Sequence, residues 1–267
     1  MTDTSPMHAG PITGNVPMYK RPEPLNIEQH GKLGIKALDK PFSFMAGSHF
    51  VPLTVAEFQL AGLNTPVIFM GDNKMPAAVM GLAAGENLFV DSEGHVPVDT
   101  YVPAFVRRWP FVLAQGQGSD QLVVCIDRDA EVVSDDPEAP FFENGEISEF
   151  TKNAVTFCEN FETERQRTEA FVQLLTTHDL FELKTANFTP RNPDGTTGAS
   201  VQMADYFGVS EEKLRALSGE ALTQLRDNGA LQQIYAHLMS LLNWDALIAR
   251  AVQRQNTLRG AETAGTA

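Results

Sequence analysis

The fold is decided by the stretch between residues 51 and 113, which carries four apolar runs: Val51-Pro52-Leu53, Thr65-Pro66-Val67-Ile68-Phe69, Gly85-Glu86-Asn87-Leu88-Phe89-Val90-Asp91 and Tyr101-Val102-Pro103-Ala104-Phe105-Val106-Arg107-Arg108-Trp109-Pro110-Phe111. Gly, Pro, Asn and Asp separate these runs, and short apolar runs bounded in this way are typical of β-strands joined by turns. The pattern predicts strands at residues 67–70 and 87–91, and the spacing at residues 53–63 is partly helical. We expect this stretch to form the folding core of a domain.

The rest of the chain adds two predicted strands and several helices. Continuous apolar character predicts a strand at residues 122–126, and residues 181–188 could form another. A long helix is expected from about residue 147, because apolar side chains at positions 150, 154, 157, 158, 161, 171, 172 and 175 form one stripe. Further helices are predicted at residues 211–217, 219–226 and 230–253. The last has an apolar face expected to pack, made of Leu231, Ile234, Tyr235, Leu238, Leu241 and Leu242.

These elements predict an α+β fold, in which a mainly antiparallel sheet from the N-terminal two thirds is covered by helices from residue 147 onward. Residues 31–254 are expected to form a single domain. A flexible arm rich in Pro, Thr and Gly precedes it at residues 1–30, and a small polar tail at residues 255–267 is expected to be disordered.

The composition narrows the class of protein. A chain of 267 residues with 43% hydrophobic content can bury an extensive core. Its net charge of −14 repels phosphate backbones, which argues against a nucleic-acid partner. Two cysteines are too few for a disulfide framework and favour a reducing compartment. The N-terminus lacks the features of a secretory signal, and no run reaches the roughly 20 apolar residues of a membrane helix. A soluble cytoplasmic protein is therefore expected.

Histidine is the commonest metal ligand and acid–base group, and six are present. They form none of the motifs His-x-Asp, His-Glu-x-x-His or His-x-x-x-His, so no metal or catalytic residue is assigned, although a metal site assembled from distant residues stays open. His49, between two β-like segments, and His95, in a turn, are candidate binding residues. His237 borders an apolar helical face and is expected to be structural.

Other candidate motifs are weak. Asp127, Asp129 and Glu131 could present three carboxylates on one strand face for Ca²⁺, or could form a solvated strand end. No glycine-rich phosphate loop or serine nucleophile motif is present, so no cofactor is assigned. Cys125 and Cys158 lie within apolar patterns and are expected to be inert buried thiols.

The paired arginines Arg107 and Arg108, together with Tyr101, form the last candidate site. An arginine held against aromatic rings can bind a carboxylate or phosphate of a ligand or partner. The same arginine could instead form an internal ion pair, for which Glu57, Glu86 and Asp91 are possible partners. Both interpretations stay open from the sequence.

With these residues in view, the chain resembles the SapC family of bacterial proteins from about residue 20 to residue 254. The matching features include Val51-Pro52-Leu53 with Glu57, Pro66-Val67-Ile68-Phe69, Tyr101-Val102-Pro103-Ala104, Arg107-Arg108 and Gly229-Ala230-Leu231. The segment around His95 departs from the family pattern, which often has an aromatic residue there.

The resemblance implies a bacterial cell-envelope or surface-layer context, because the family is named for surface-layer gene clusters. Relatives also occur beside outer-membrane receptors and flavin-dependent halogenases. The family brings no established catalytic residues.

The leading hypothesis is a non-enzymatic accessory protein that acts by binding. The alternative is an enzyme, or a cofactor-binding partner of flavin-dependent halogenases or iron-dependent oxygenases, with His49, His95 and Arg107 near a dispersed site. Neither pattern nor resemblance predicts the substrate or the oligomeric state.

Overall fold

The computed structural model describes residues 16–115, 122–188 and 201–264. The strands are β1 (Pro22–Pro24), β2 (Gly34–Ile35), β3 (Phe50–Pro52), β4 (Val67–Met70), β5 (Met75–Val79), β6 (Phe111–Gln115), β7 (Leu122–Asp127), β8 (Val133–Ser134), β9 (Ala139–Pro140), β10 (Phe142–Glu143), β11 (Glu146–Ile147), β12 (Phe181–Phe188) and β13 (Val201–Val209). The α-helices are α1 (Ile27–His30), α2 (Phe58–Ala61), α3 (Ala104–Arg107), α4 (Glu149–Thr177), α5 (Glu211–Arg215), α6 (Gly219–Asp227), α7 (Ala230–Ser240) and α8 (Trp244–Ala264). Single turns of 3₁₀-helix occur at Ser43–Met45, Val55–Glu57 and Leu241–Asn243.

The chain divides into two compact units, and the first comprises Met1–Pro41 and Arg107–Thr163. It contains two three-stranded antiparallel sheets, ordered β1-β7-β6 and β8-β2-β9, and the hairpin of β10 and β11. The first part of α4 also belongs to this unit. Its main apolar core is made of Leu33, Phe111, Ile126, Phe141 and Cys158.

The second unit comprises Phe42–Val106 and Glu164–Ala267. Its five-stranded antiparallel sheet has the order β12-β13-β4-β5-β3. Helix α7 packs against β4 and β13. Phe69 of β4 lies at the centre of this core, because the rings of Phe58, Phe171, Phe181 and His237 all contact its ring.

The α+β class and most of the predicted elements are confirmed. Strand β4 coincides with the predicted residues 67–70, β12 with residues 181–188, and β7 extends the predicted residues 122–126 by one residue. Helix α4 buries the predicted stripe at Cys158, Phe161, Phe171 and Leu175. These elements were predictable because their apolar spacing matches the period of the structure they form.

The prediction of a strand at residues 87–91 is wrong, since this segment forms a loop. The side chain of Asn87, which is fully buried, accepts a hydrogen bond from the Phe89 N–H at 2.9 Å and donates one to the Met45 carbonyl at 3.3 Å. Arg254 of α8 donates to the carbonyls of Asn87 and Val90. These side chains satisfy backbone groups that a strand would have paired with a neighbouring strand.

Further differences concern the later part of the chain and its N-terminal segment. Strand β13 was not predicted, and the helix predicted at residues 230–253 is divided into α7, a 3₁₀ turn and α8. The acidic segment after β7 contains the short strands β8 to β11. Helix α8 extends into the expected tail, and β1 and α1 lie within the expected arm. The sequence also predicts a turn-rich loop at residues 190–198, which lies outside the described residues. The single domain at residues 31–254 stays a prediction.

Candidate functional site

The paired arginines lie in the first unit against aromatic side chains. The guanidinium of the exposed Arg107, at the end of α3, is 5.3 Å from the ring centroid of Phe157. That of the half-buried Arg108 is 4.4 Å from the centroid of Phe161 and 5.8 Å from that of Tyr19. Stacking of this kind holds a guanidinium in place. The two interpretations of the pair, an internal ion pair or a binding site, stay predictions.

Tyr19 shows how tightly the surroundings of Arg108 are packed. Its hydroxyl donates a hydrogen bond to the Phe111 carbonyl at 2.6 Å. Burial raises the pKa of the Tyr19 phenol above its ordinary value, and the positive charge of Arg108 partly opposes this. Arg108 therefore lies against a buried aromatic cluster in the first unit.

Tyr101 belongs to the second unit, where it binds Glu57. The Glu57 carboxylate is 5% exposed and accepts four hydrogen bonds. Its Oε2 accepts from the N–H and the hydroxyl of Thr54, at 2.7 and 2.8 Å. Its Oε1 accepts from the Tyr101 hydroxyl at 3.0 Å and the Ala104 N–H at 2.6 Å. Glu57 therefore ties the 3₁₀ turn at Val55–Glu57 to the segment that begins α3.

The sequence indicated only part of the role of Glu57. A carboxylate in the first turn of a helix suits the helix dipole, and Thr54 followed three residues later by Glu57 is the spacing of a capping box. The two donors from the segment at residues 101–104 could not be predicted, because they lie more than 40 positions further along the chain.

His49 lines a cavity of about 200 Å³ in the second unit. The remaining lining residues are Phe50, Val79, Gly81, Leu82, Ala84 and Trp244. The imidazole packs on the Phe50 ring with 4.3 Å between the centroids. The His49 carbonyl accepts hydrogen bonds from the N–H groups of Met80 and Gly81, at 2.7 and 3.1 Å. These contacts fix the position of His49 beside the cavity.

Gly81 allows this arrangement because no larger residue fits there. A Cβ atom at this position would lie 2.0 Å from the Glu86 carbonyl oxygen and 3.0 Å from the His49 Cβ. The cavity thus combines one imidazole with aliphatic and aromatic side chains. Such a site can bind a small, mostly apolar molecule through one hydrogen bond, and it offers no second ionisable side chain for acid–base catalysis.

The structure does not bring His95 to this cavity. His95 lies in an exposed turn, where its N–H donates to Asp91 Oδ1 at 2.8 Å and the Asp91 N–H donates to the His95 carbonyl at 3.0 Å. The imidazole Nδ1 is 3.9 Å from the same carboxylate oxygen. The structure thus places Arg107 and Arg108 in an aromatic cluster of the first unit. In the second unit, Tyr101 binds Glu57, His49 lines a cavity and His95 lies in a turn.

His237 is structural, as the sequence predicted. It is fully buried in α7, and its Nδ1–H donates to the Val67 carbonyl at 2.8 Å, while its Nε2 accepts from the Val209 N–H at 3.1 Å. This assigns the neutral tautomer with the proton on Nδ1. Burial lowers the pKa of His237 to about 4. The imidazole thus links neighbouring strands β4 and β13 to α7.

The three carboxylates considered for Ca²⁺ have partners from the N-terminal segment. Asp127 is fully buried and accepts from the backbone N–H groups of Lys20 and Arg21, at 2.9 and 2.8 Å. Asp129 is 3.0 Å from the Arg21 guanidinium, and Glu131 is 3.3 Å from the Lys20 ammonium. Among residues 16–115, 122–188 and 201–264, no group of three His, Cys, Asp or Glu side chains is arranged to hold a metal ion.

The prediction that both cysteines are buried thiols is confirmed. Burial raises the pKa of Cys125 to about 12 and that of Cys158 to about 11. Both thiols are therefore protonated at neutral pH and unsuited to act as nucleophiles.

Several exposed apolar side chains of the second unit form a strip that the sequence did not predict. We define the apolar strip as Leu60, Leu63, Tyr235, Met239 and Leu242, whose exposed fractions range from 51% for Leu60 to 80% for Leu242. The predicted packing face of the last helices included Tyr235 and Leu242, and for these two residues that prediction is wrong. Ile234 of the same face is fully buried.

Close packing of α2 on α7 brings the two parts of the strip near each other. A Cβ atom on Gly62 would lie 3.1 Å from the Ser240 Cβ, and the Asn243 side chain donates to the Gly62 carbonyl at 2.7 Å. Leu63 follows Gly62, and Leu242 precedes Asn243, so each lies next to a residue of this hydrogen bond. Tyr235, Met239 and Leu242 are spaced by four and three positions, which places them on one side of the helical segment.

A second cavity in the same unit has a volume of about 360 Å³. It lies between α4 and the start of α7, with Phe171 and Leu174 on one side and Gly229 and Gln233 on the other. Arg167 is the one charged residue of its lining, and its guanidinium is 2.7 Å from Glu164.

No helix within the described part of the chain is both long and apolar enough to cross a membrane. A family model described as SapC matches residues 25–247. No curated protein and no solved structure matches the chain. The family match therefore covers both units and every candidate residue described above.

Proposed function

Because the chain belongs to the SapC family, we propose that it is a non-enzymatic accessory protein that acts by binding a partner protein of the bacterial cell envelope or surface layer. The observation that carries this proposal is the apolar strip. Exposed apolar patches rimmed by polar residues mark interaction surfaces, whereas single exposed apolar side chains do not.

The composition of the strip suits a protein interface. It contains a tyrosine and a methionine, residue types that are enriched at the centres of interfaces. Its position on two packed helices gives a partner a rigid surface, which lowers the entropy cost of binding. The net charge of −14 favours a partner with basic residues around the contact, since complementary charge speeds association.

The family name points to the cell envelope, and no helix within the described residues is long and apolar enough to cross a membrane. Binding of the strip to a protein that resides in the envelope would hold the chain there.

Cell fractionation with strip variants tests this function. We expect the wild-type protein, produced from its own gene, to be recovered mainly with the envelope, and the double variant Leu63→Ser, Met239→Ser to be recovered mainly in the soluble fraction. Loss of two central apolar contacts typically weakens an interface by more than about tenfold. Quantitative immunoblotting of the two fractions measures the effect.

A matched control separates loss of binding from loss of fold. Leu222 on α6 is 42% exposed and lies outside the strip, so Leu222→Ser should fractionate as the wild type does. The melting temperature of the double variant should stay close to that of the wild type, because both altered side chains are exposed. Recovery of the wild-type protein in the cytosol alone would contradict the envelope role.

A second candidate function is a cofactor-binding or small-molecule-binding partner of flavin-dependent halogenases or iron-dependent oxygenases. The observation that favours it is the His49 cavity, which offers one imidazole beside aliphatic and aromatic side chains. Stoichiometric iron or zinc in the purified protein would favour this candidate over the accessory role.

A further inference from the structure

Strand β12 forms one edge of the five-stranded sheet. It pairs with β13 along its whole length from Phe181 to Phe188, and no second strand pairs with it within the described residues. The opposite edge, β3, has three residues and ends at Pro52, which lacks an N–H. A long unpaired edge can accept another strand, so β12 is the edge suited to pairing.

The register identifies the backbone groups that point outward. The Ser210 N–H donates to the Leu180 carbonyl at 2.8 Å, which makes these two residues a hydrogen-bonded pair. In an antiparallel ladder such pairs alternate, so the next ones are Glu182 with Gly208 and Lys184 with Tyr206. The N–H and carbonyl groups of Phe181, Leu183 and Thr185 therefore point away from β13.

A side-chain contact agrees with this assignment. The Lys213 ammonium reaches the Phe181 carbonyl from the outer side of β12, at 2.9 Å. Lys213 is also 3.1 Å from Asp179 and can keep that ion pair when it leaves the carbonyl. Leu183 and Thr185 thus supply the open part of the edge, and the Leu183 side chain is 65% exposed.

The side chains around Leu183 are self-complementary. Glu182 and Lys184 flank it, and within one chain their charged atoms are 2.6 Å apart. If two copies of β12 pair antiparallel about Leu183, each Glu182 lies opposite a Lys184 and the two leucines lie opposite each other. Pairing about Thr185 would place each Lys184 opposite Ala186, and pairing about Lys184 would place the two Lys184 ammonium groups opposite each other, which is unfavourable.

We propose that β12 pairs with β12 of a second copy of this chain, antiparallel and centred on Leu183, so that the five-stranded sheets of two copies become one sheet. The interface is isologous, as two-fold symmetric dimers require. Backbone hydrogen bonds provide the pairing, and the leucine and charge pairs fix the register. This interface is independent of the apolar strip.

Sedimentation velocity of the purified full chain, from about 1 µM to about 100 µM, tests the dimer, since association depends on protein concentration. The wild type should form a dimer. Leu183→Lys should raise the dimer dissociation constant by at least about tenfold, because two like charges then lie opposite each other. Leu122→Lys, on an apolar residue of β7 that is 46% exposed, should leave the dimer unchanged.

A charge exchange tests the register. Lys184→Glu alone should weaken the dimer, and the double variant Glu182→Lys, Lys184→Glu should restore it, which a variant that merely damages the sheet could not do. A wild type that stays monomeric, a dimer insensitive to Leu183→Lys, or failure of the exchange to restore the dimer would each overturn the proposal. Loss of the dimer in the variant Leu63→Ser, Met239→Ser would also overturn it, by assigning self-association to the strip.

Discussion

Replacement of Glu57 by alanine is expected to lower the free energy of unfolding by about 3–5 kcal/mol, the range for breaking a buried polar network. The substitution removes the acceptor for the N–H groups of Thr54 and Ala104 and for the hydroxyls of Thr54 and Tyr101. Backbone donors left buried without an acceptor lose their hydrogen bonds to protein without regaining those to water. The 3₁₀ turn and the start of α3 should loosen together.

Fluorescence during urea unfolding can follow the unit that contains Glu57. Trp109 lies in the first unit and Trp244 in the second, so a Trp109→Phe background makes Trp244 the reporter. Glu169→Ala, at a side chain that is 59% exposed, is the matched control and should cost less than about 1 kcal/mol. An effect of Glu57→Ala no larger than that of the control would contradict the assigned role.

Lowering the pH is expected to destabilise the second unit through His237. The pKa of this imidazole is about 4 in the folded protein and about 6.5 when it is exposed. Between these two values the unfolded chain binds a proton that the folded chain does not. The contribution of His237 to the free energy of unfolding is therefore fully present above pH 6.5 and is lost as the pH falls toward 4. The expected loss between pH 7 and pH 5 is on the order of 2 kcal/mol.

The variant His237→Leu isolates this contribution. It removes the titration but leaves the Val67 carbonyl and the Val209 N–H without their partner, so it should cost about 2–4 kcal/mol at pH 7. Its stability should then decrease less between pH 7 and pH 5 than that of the wild type. Parallel pH profiles for the two proteins would show that His237 is not the group responsible.

Local patterns predicted much of the fold because local physics determines those parts. The apolar runs that became β4, β7 and β12 are bounded by residues that favour turns, and the stripe of α4 follows the helical period. Cys158 could be predicted as buried from its place in that stripe. His237 was predictable as structural because it borders the apolar face of the last predicted helix.

Other features depend on contacts between distant residues, which a local pattern does not contain. Residues 87–91 have the composition of a strand, yet Asn87 and Arg254 satisfy their backbone in a loop. Strand β13 was missed because Asp205 and Gly208 weaken its apolar pattern. Helical periodicity identified the apolar residues near Tyr235 but could not show which of them the rest of the fold covers.

The candidate site likewise combines features that local sequence predicts with features that depend on distant contacts. His49 was selected by its place between two β-like segments, and the structure places it at a cavity. Its grouping with His95 and Arg107 assumed a dispersed site that the structure does not assemble at the His49 cavity. Tertiary packing alone determines that the Glu57 carboxylate accepts four hydrogen bonds. It also determines which residues of the strip are exposed.

Photo-cross-linking in intact cells tests most directly whether the apolar strip binds an envelope protein. A photoreactive amino acid in place of Met239 should give one main adduct, whose second component is an envelope protein identified by mass spectrometry. The same amino acid in place of Leu222 should not give this adduct. Absence of an adduct at position 239, identical adducts from both positions, or an adduct containing only two copies of this chain would contradict the proposed function.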